Sequence, residues 1–181
     1  MENSLEIFFA IFWLFLPAAF ANMAPVIFNC LPVLATPIDL GANLANKRIL
    51  GSHKTWRGLV VAPLLAWVII GIQSTLYPFP AGMTMIDYGK SNIGWFGLIL
   101  GFGAILGDAG KSFIKRRLNI PPGGNFFIAD QIDWILGALI AGSLFYSWPL
   151  EVWAIAIIMF GLLHPLANII GYWFGLKKNK F

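Results

Sequence analysis

A cluster of charged side chains in the second half of the chain has the spacing of one helix face. Asp108 is followed three, four, seven and eight residues later by basic or hydroxyl side chains, in a segment that is otherwise apolar. An acid inside an apolar segment is costly unless it is paired or binds a metal, so this face is a candidate functional site. Its members are Asp108, Lys111, Ser112, Lys115 and Arg116.

Two further aspartates open the next apolar segment. Asp130 and Asp133 are three residues apart, so on a helix they also share a face. Three carboxylates at neighbouring helix ends form the oxygen-rich kind of site that holds Mg²⁺, and Mg²⁺ together with Lys and Arg neutralises the phosphates of a nucleotide. The alternative interpretation is that Asp108 simply pairs with Lys111 or Lys115, while the remaining cations extend to the membrane surface.

A second basic motif, GSHKTWRG, occupies positions 51–58. Lys54, Thr55 and Arg57 supply an ammonium, a hydroxyl and a guanidinium within four positions, which suits a polyphosphate. The motif lacks the glycine and lysine spacing of a Walker loop. An equally good interpretation is a basic membrane anchor with Trp56 at the interface.

The composition is that of an integral membrane protein. Of the 181 residues, 59% are hydrophobic and 11% are charged, and the mean hydropathy is +0.77, which is outside the range of ordinary soluble domains. The basic residues flank apolar segments, so the net charge of +4 indicates membrane orientation and not nucleic-acid binding. The single cysteine excludes an internal disulfide and a cysteine-rich metal site. Both histidines, His53 and His164, are isolated, and neither is assigned a catalytic role.

The apolar segments predict an all-α integral membrane protein with about five transmembrane helices, folded as a single domain over residues 1–181. A span needs about 20 apolar residues, so the chain has room for these helices and for short loops. Three prolines predict that the first helix is kinked or broken. The predicted spans are 5–34, 59–77, 93–117, 131–147 and 151–174.

The basic residues predict the orientation of the chain. The loop after the first segment, the end of the third segment and the C-terminal tail carry four, four and three of them, and Lys90 alone lies on the opposite side. We therefore expect a cell-membrane protein with an external N-terminus and a cytoplasmic C-terminus. The two polar loops that carry the candidate site would then face the cytoplasm.

Small residues in the third segment predict close helix packing. Gly97 and Gly101, and then Gly103 and Gly107, are four residues apart, which lets the backbone of a neighbouring helix approach. The Pro-Pro-Gly-Gly sequence at 121–124 predicts a turn that connects two helices.

The polar stretch resembles a known enzyme family. GDAGKSFIKRR, PPGG and ADQID, within positions 107–133, are similar to sequences of the membrane cytidylyltransferases that make CDP-activated lipids. Ser112 with Arg116, and Asp130 with Asp133, match the serine, arginine and paired aspartates of that family.

Two departures from the family pattern point to one branch. Ile120 and Pro121 stand where a Lys-Asp pair is usual, and Gln131 stands where arginine is usual. With the short length, KTWRG at 54–58 and PID at 37–39, these features are similar to the archaeal branch, the CDP-archaeol synthases.

The resemblance implies a reaction and its ligands. CTP and di-geranylgeranylglyceryl phosphate, an unsaturated archaeal lipid, would give CDP-archaeol and pyrophosphate in membrane phospholipid biosynthesis, with Mg²⁺ as the cofactor. The implied Mg²⁺ ligands are Asp108 and Asp133, with Asp130 assisting directly or through lysine and water. The implied phosphate ligands are Lys111, Ser112, Lys115 and Arg116, and those for CTP are Lys54, Thr55 and Arg57, with Asn43 or Asn46 reading the cytosine.

Other functions stay open at this point. The expected partners are CTP, the isoprenoid lipid phosphate and the membrane, with no nucleic acid, and a homo-oligomer is allowed. One alternative is a phosphatidate cytidylyltransferase that acts on diacyl lipid. Another is a small membrane transporter for ions or anions, which is disfavoured because the charged positions stop in the cytoplasmic third of the spans. A third is a membrane scaffold without enzymatic activity.

Overall fold

The fold is built from helices that run along most of the chain. The computed structural model describes residues 4–77, 84–90, 92–121, 124, 126 and 128–173. Within these residues there are five helices and, in the polar loop between α1 and α2, one antiparallel hairpin of two two-residue strands, so the predicted helical fold is confirmed in outline. The elements are α1 (Ser4–Ile27), β1 (Asn43–Leu44), β2 (Lys47–Arg48), α2 (Trp56–Leu76), α3 (Ile93–Arg117), α4 (Ala129–Gly142) and α5 (Leu150–Trp173).

Several of these helices can cross a membrane. By length and composition, α1, α2 and α3 are long and apolar enough, and α5 is apolar over 150–163. The chain is therefore a multi-pass membrane protein. α4 has 14 residues, about 21 Å at ~1.5 Å per residue, which is shorter than a hydrocarbon core of ~30 Å.

Three helix boundaries differ by three or more residues from the predicted spans: the end of α1, the start of α2, and the end of α4, which stops at Gly142 and not at 147. α1 continues through Pro17 and Pro25 and ends at Ile27, before the third proline, so of the two expected outcomes, a kink or a break, the break does not occur within α1. α2 begins three residues earlier than predicted because Thr55 caps it: the hydroxyl of Thr55 accepts a hydrogen bond from the Gly58 N–H at 3.4 Å.

α3 lies at the centre of the bundle and contacts α1, α2 and α4. Its glycines allow the close contacts that the sequence predicts. A Cβ atom added at Gly101 would lie 2.7 Å from the Cβ of Ala66 on α2, and one added at Gly107 would collide with the backbone carbonyl of Asp133 on α4. The α3–α4 contact therefore requires glycine at position 107, where a larger side chain would not fit. This close contact brings Asp133 against α3.

Aromatic packing supports the position of α4. The ring of Trp134 lies edge-on to the ring of Phe160 on α5, with centroids 5.1 Å apart, and Phe160 in turn lies edge-on to Phe15 on α1 at 6.4 Å. These contacts bury one side of α4 in the bundle. Asp133, the neighbour of Trp134, is thereby held at the boundary with α3.

Gly137→Val should separate α3 from α4 and destabilise the protein. A Cβ at Gly137 would collide with the backbone of Gly103 and Gly107, and overpacking of this kind costs about 1–3 kcal/mol. We expect the melting temperature of the detergent-solubilised protein to fall by about 2–10 °C. Gly110→Ala is the matched control, because a Cβ at Gly110 meets nothing within 4 Å. An unchanged melting temperature for Gly137→Val would contradict the close α3–α4 contact.

Candidate functional site

Lys111 lies at the centre of the three predicted aspartates. Its Nζ is 3.1 Å from Asp108 Oδ1, 3.2 Å from Asp130 Oδ1 and 2.6 Å from Asp133 Oδ2. Asp108 and Lys111 are on α3, and the other two aspartates are in the first turns of α4. The structure therefore brings together, around Lys111, the three carboxylates that the sequence predicts at neighbouring helix ends.

Lys115 and Lys54 extend this cluster on two sides. Lys115 Nζ donates to both oxygens of Asp130, at 2.9 and 3.1 Å, and the backbone N–H of Phe126 donates to the same carboxylate at 2.7 Å. Lys54, from the loop before α2, donates to Asp108 Oδ2. The two polar motifs of the sequence thus meet through the Lys54–Asp108 ion pair.

Ser112 is occupied by its own helix. Its hydroxyl donates to the Asp108 backbone carbonyl at 3.0 Å, a common contact for serine inside a helix. The hydroxyl oxygen still has lone pairs, but the donor that the sequence assigns to a substrate phosphate is used within α3 in this structure.

Arg116 is a buried guanidinium with unused donors. It is 8% exposed, and its Nε and Nη1 atoms have no hydrogen-bond partner among the described residues. A buried charged group without partners is unfavourable unless an anion compensates it. Arg116 lines a cavity of about 210 Å³, which we call the first cavity. Its other polar lining residues are His53, Lys54, Lys111, Ser112 and Lys115.

Arg57 lines a different cavity from Lys54, so the predicted clamp of Lys54, Thr55 and Arg57 is divided between two cavities, and the role of these residues in binding CTP remains a prediction. Lys54 lies before α2 and extends to α3, whereas Arg57 is in the first turn of α2 and extends to the end of α1. Arg57 Nη2 donates to Asn29 Oδ1 at 2.7 Å, and Nη1 donates to the Leu31 carbonyl. Thr55 and Arg57 line a second cavity of about 400 Å³.

Asn43 and Asn46 lie apart from both cavities. Asn43 is in β1, and Asn46 lies in the hairpin turn with a φ of +60°, a backbone conformation that asparagine tolerates better than most residues. Both side chains are exposed, and neither lines the first or the second cavity. The positive φ in the hairpin turn accounts for an asparagine at position 46. A contact of Asn43 or Asn46 with cytosine remains a prediction.

Asp39 organises the polar loop, and its role was missed in the sequence. Its carboxylate accepts hydrogen bonds from the backbone N–H groups of Gly41, Leu50 and Gly51, at 3.1, 3.0 and 2.9 Å, and Arg48 Nη2 lies 3.0 Å from it. Only the Asp39-to-Gly41 contact is a local pattern that a sequence can reveal. The contacts of Asp39 with Arg48, Leu50 and Gly51 form only when the hairpin folds back onto Asp39.

Arg117 attaches the hairpin to the end of α3, and it too was missed. Its guanidinium donates to the carbonyls of Leu44, Lys47 and Arg48, at 2.7, 3.0 and 2.7 Å. In return, Lys47 Nζ donates to the Arg117 carbonyl at 2.9 Å, a cation at the negative end of the helix dipole. These contacts hold the loop that carries Lys54 above the C-terminal end of α3.

Asp39→Asn should loosen this loop. Burial raises the pKa of Asp39, but the bonds from Arg48 and three backbone N–H groups outweigh burial and hold the pKa below its ordinary value. The stabilisation is therefore complete above the unfolded pKa of about 3.9 and is lost as the pH falls towards the folded pKa. At pH 7 we expect hydrogen exchange at Leu50 and Gly51 to be about 10-fold faster in Asp39→Asn, since bonds to charged groups contribute about 1.5–3 kcal/mol. Exchange at the wild-type rate would contradict this role.

The three aspartates are suited to Mg²⁺ by chemistry. Carboxylate oxygens are the ligands that Mg²⁺ prefers, and Asp133 Oδ2 is buried without a well-directed hydrogen bond although it lies at ion-pair distance from Lys111. Among the described residues, no three His, Cys, Asp or Glu side chains are grouped closely enough to hold an ion directly. Lys111 supplies the compensating positive charge in this structure.

The bundle is that of a multi-pass membrane protein, and one of its cavities is lined by three lysines and Arg116. A family model described as CarS-like, CDP-archaeol synthase, matches residues 4–181, so the chain belongs to this family. The resemblance predicted from the sequence is thereby confirmed.

Individual relatives match over nearly the whole chain. CDP-archaeol synthase from Methanocaldococcus jannaschii is 36% identical, over 95% of this chain and 96% of the relative. CDP-archaeol synthase from Pyrobaculum arsenaticum is 34% identical, over 97% and 98%. A solved structure of an intramembrane enzyme for archaeal membrane lipid biosynthesis is 31% identical with a TM-score of 0.73, over 87% of this chain and 92% of that one.

Proposed function

We propose that the chain transfers a cytidylyl group from CTP to di-geranylgeranylglyceryl phosphate, giving CDP-archaeol and pyrophosphate. Family membership and the names of the relatives support this reaction. The observation that carries it is the first cavity, where Arg116 presents unpartnered donors beside three lysine side chains. Such a set of buried cations is suited to several phosphate groups at once.

The chemistry of this transfer needs little from a protein nucleophile. An oxygen of the lipid phosphate attacks the α-phosphorus of CTP, and the bond from that phosphorus to the oxygen bridging to the β-phosphate breaks. Pyrophosphate then leaves with the electron pair of that bond. The attacking phosphate monoester is already an anion at neutral pH, so positioning and charge neutralisation are the main tasks.

We assign these tasks to the cations of the first cavity. Lys54, Lys111, Lys115 and Arg116 would bind the triphosphate and stabilise the charge that develops on the departing pyrophosphate. Lys115 and Arg116 are each 8% exposed, and burial strengthens the interactions of these two side chains with phosphate. Ser112 would contribute through its hydroxyl after releasing the Asp108 carbonyl, to which it donates now.

We also propose Mg²⁺ as the cofactor, with Asp108 and Asp133 as ligands and Asp130 assisting directly or through a lysine. When bound, the ion would add positive charge at the phosphates and help to orient them. Lys111 and Lys115, which now pair with these carboxylates, would then be available for substrate.

The proposed membrane arrangement has five spans in a single domain of residues 1–181, an external N-terminus, and a C-terminus and active site in the cytoplasm. Its support is the distribution of basic residues and the short polar loops. The basic tail within 174–181, the external loop at 78–83 and positions 122–123 of the predicted turn lie outside the described residues. A homo-oligomer is compatible with this arrangement.

The deciding experiment uses the purified full-length protein, Mg²⁺, labelled CTP and di-geranylgeranylglyceryl phosphate. We expect a labelled CDP-lipid together with pyrophosphate, and a slower reaction with a diacyl lipid phosphate. The absence of product with both lipids would contradict the enzymatic function. Movement of ions or anions across vesicles containing the protein, without any product, would favour the transporter alternative.

A further inference from the structure

The second cavity contains a buried guanidinium that the proposed triphosphate site does not use. It lies between the end of α1 and the start of α2, and Arg57, which is 7% exposed, is part of its lining. Two of the five N–H groups of Arg57 are bonded, to Asn29 and Leu31, and Nε has no partner among the described residues. The buried charge has no carboxylate partner in the ion pairs of the described residues, so it is available to bind an anion.

Exposed apolar residues lie in and next to the lining of this cavity. Leu31 contributes to the lining, and Val26 and Val33, next to lining residues in sequence, are 59% and 63% exposed. In a membrane protein, exposed apolar side chains at the end of a spanning helix are in contact with lipid chains. An anion in this cavity would therefore have hydrocarbon beside it.

The two cavities differ in charge as the two substrates do. The first cavity has three lysines and Arg116, which suits a polyphosphate. The second has Arg57 as its one Lys or Arg, with the hydroxyls of Ser52 and Thr55, which suits a single phosphate group. His53 lines both cavities, so ligands in the two would be neighbours.

We propose that the second cavity binds the phosphate head group of the lipid substrate, with Arg57 as its principal ligand and His53 between the two substrates. This inference rests on the proposed function. It replaces the sequence-based assignment of Arg57 to CTP, because Arg57 lines the second cavity, Lys54 lines the first, and His53 lines both. The arrangement brings the attacking phosphate oxygen towards the nucleotide from the membrane side.

Cys30 allows a direct binding test that needs no turnover. It is the only cysteine of the chain, it is exposed, and it lines the second cavity. We expect di-geranylgeranylglyceryl phosphate to slow maleimide labelling of Cys30 in the full-length protein by at least about 5-fold. The uncharged di-geranylgeranylglycerol, CTP, pyrophosphate and inorganic phosphate should each leave the rate within about 2-fold. Protection by CTP or pyrophosphate, or equal protection by the uncharged lipid, would overturn the proposal.

Kinetics of two variants test the same assignment. Arg57→Gln should raise the KM for the lipid phosphate by about 10-fold or more and change the KM for CTP by less than about 2-fold. Asn29→Asp should also raise the KM for the lipid phosphate, because it gives Arg57 a carboxylate partner. Asn29 is exposed, so this substitution should not impair folding. Lys90→Gln is the control, since Lys90 is exposed in the loop before α3. A rise in the KM for CTP instead would place Arg57 with the nucleotide.

These outcomes separate the inference from the proposed function. If the wild-type protein makes CDP-lipid but Cys30 is not protected and the KM values do not change, only the lipid-phosphate site is wrong. If Cys30 is protected by the lipid phosphate but no CDP-lipid forms, the binding site stands and the cytidylyl transfer is wrong.

Discussion

Asp133→Asn is expected to lower the rate of CDP-lipid formation by about 10³-fold or more and to leave the fold intact. Asp133 is 8% exposed, and its carboxylate lies 2.6 Å from Lys111 Nζ. The amide has nearly the same shape but no charge, so it neither binds a divalent cation well nor pairs with the lysine. Lys111 retains Asp108 and Asp130 as partners, which is why folding should survive.

The measurements for this variant are the rate of CDP-lipid formation, the helical circular dichroism signal and the melting temperature. Asp87→Asn is the matched control: Asp87 is exposed and its carboxylate accepts a hydrogen bond from the Gly89 N–H at 2.9 Å. It should keep the wild-type rate. Wild-type turnover by Asp133→Asn would remove Asp133 from the proposed metal ligands.

Lys111→Met should have the second large effect, on stability as well as on turnover. It leaves three carboxylates near one another without the ammonium that now lies among them. Breaking a buried ion pair by removing one partner costs about 3–5 kcal/mol. We expect the melting temperature in EDTA to fall by about 10 °C and turnover to fall by about 100-fold or more.

Mg²⁺ should restore part of the stability of Lys111→Met, because a cation that binds only the folded carboxylate cluster stabilises the folded state. The measurement is the melting temperature with and without Mg²⁺, with Lys90→Met as the matched control. A Lys111→Met protein that is as stable as the wild type in EDTA would show that the three carboxylates do not depend on Lys111. Equal melting temperatures with and without Mg²⁺ would argue against a metal site formed by these aspartates.

The α3 face from Asp108 to Arg116 could be predicted because it depends on local geometry. A helix places residues three and four apart on the same side, and the spacing of charges in an apolar segment is directly visible. The glycine contacts could be predicted for the same reason, and the structure confirms them at Gly101 and Gly107. The resemblance of the two polar motifs to one family could also be recognised in the sequence, and the family match confirms it.

The sequence could not predict that the polar motif at 51–58 contributes residues to two different cavities. Lys54 and Arg57 are three residues apart in sequence, yet Lys54 pairs with Asp108 on α3 and Arg57 bonds to Asn29 beyond the end of α1. Their directions depend on where α2 begins, and that start is set by the Thr55 cap. Each residue of a helix is rotated by about 100° from the one before it. The direction of Arg57 therefore depends on the residue at which α2 begins, and residue spacing alone does not show which cavity Arg57 lines.

The sequence by itself determined a multi-pass helical membrane protein, the family to which it belongs, and the residues with acidic and basic chemistry, because these follow from composition, periodicity and motif. Only the tertiary structure decided that the ammonium of Lys111 lies among three carboxylates, that Asp39 and Arg117 hold the polar loop on α3, and that Arg57 faces a second cavity. These contacts join residues far apart in the chain, and their partners depend on how the helices pack and where each one begins.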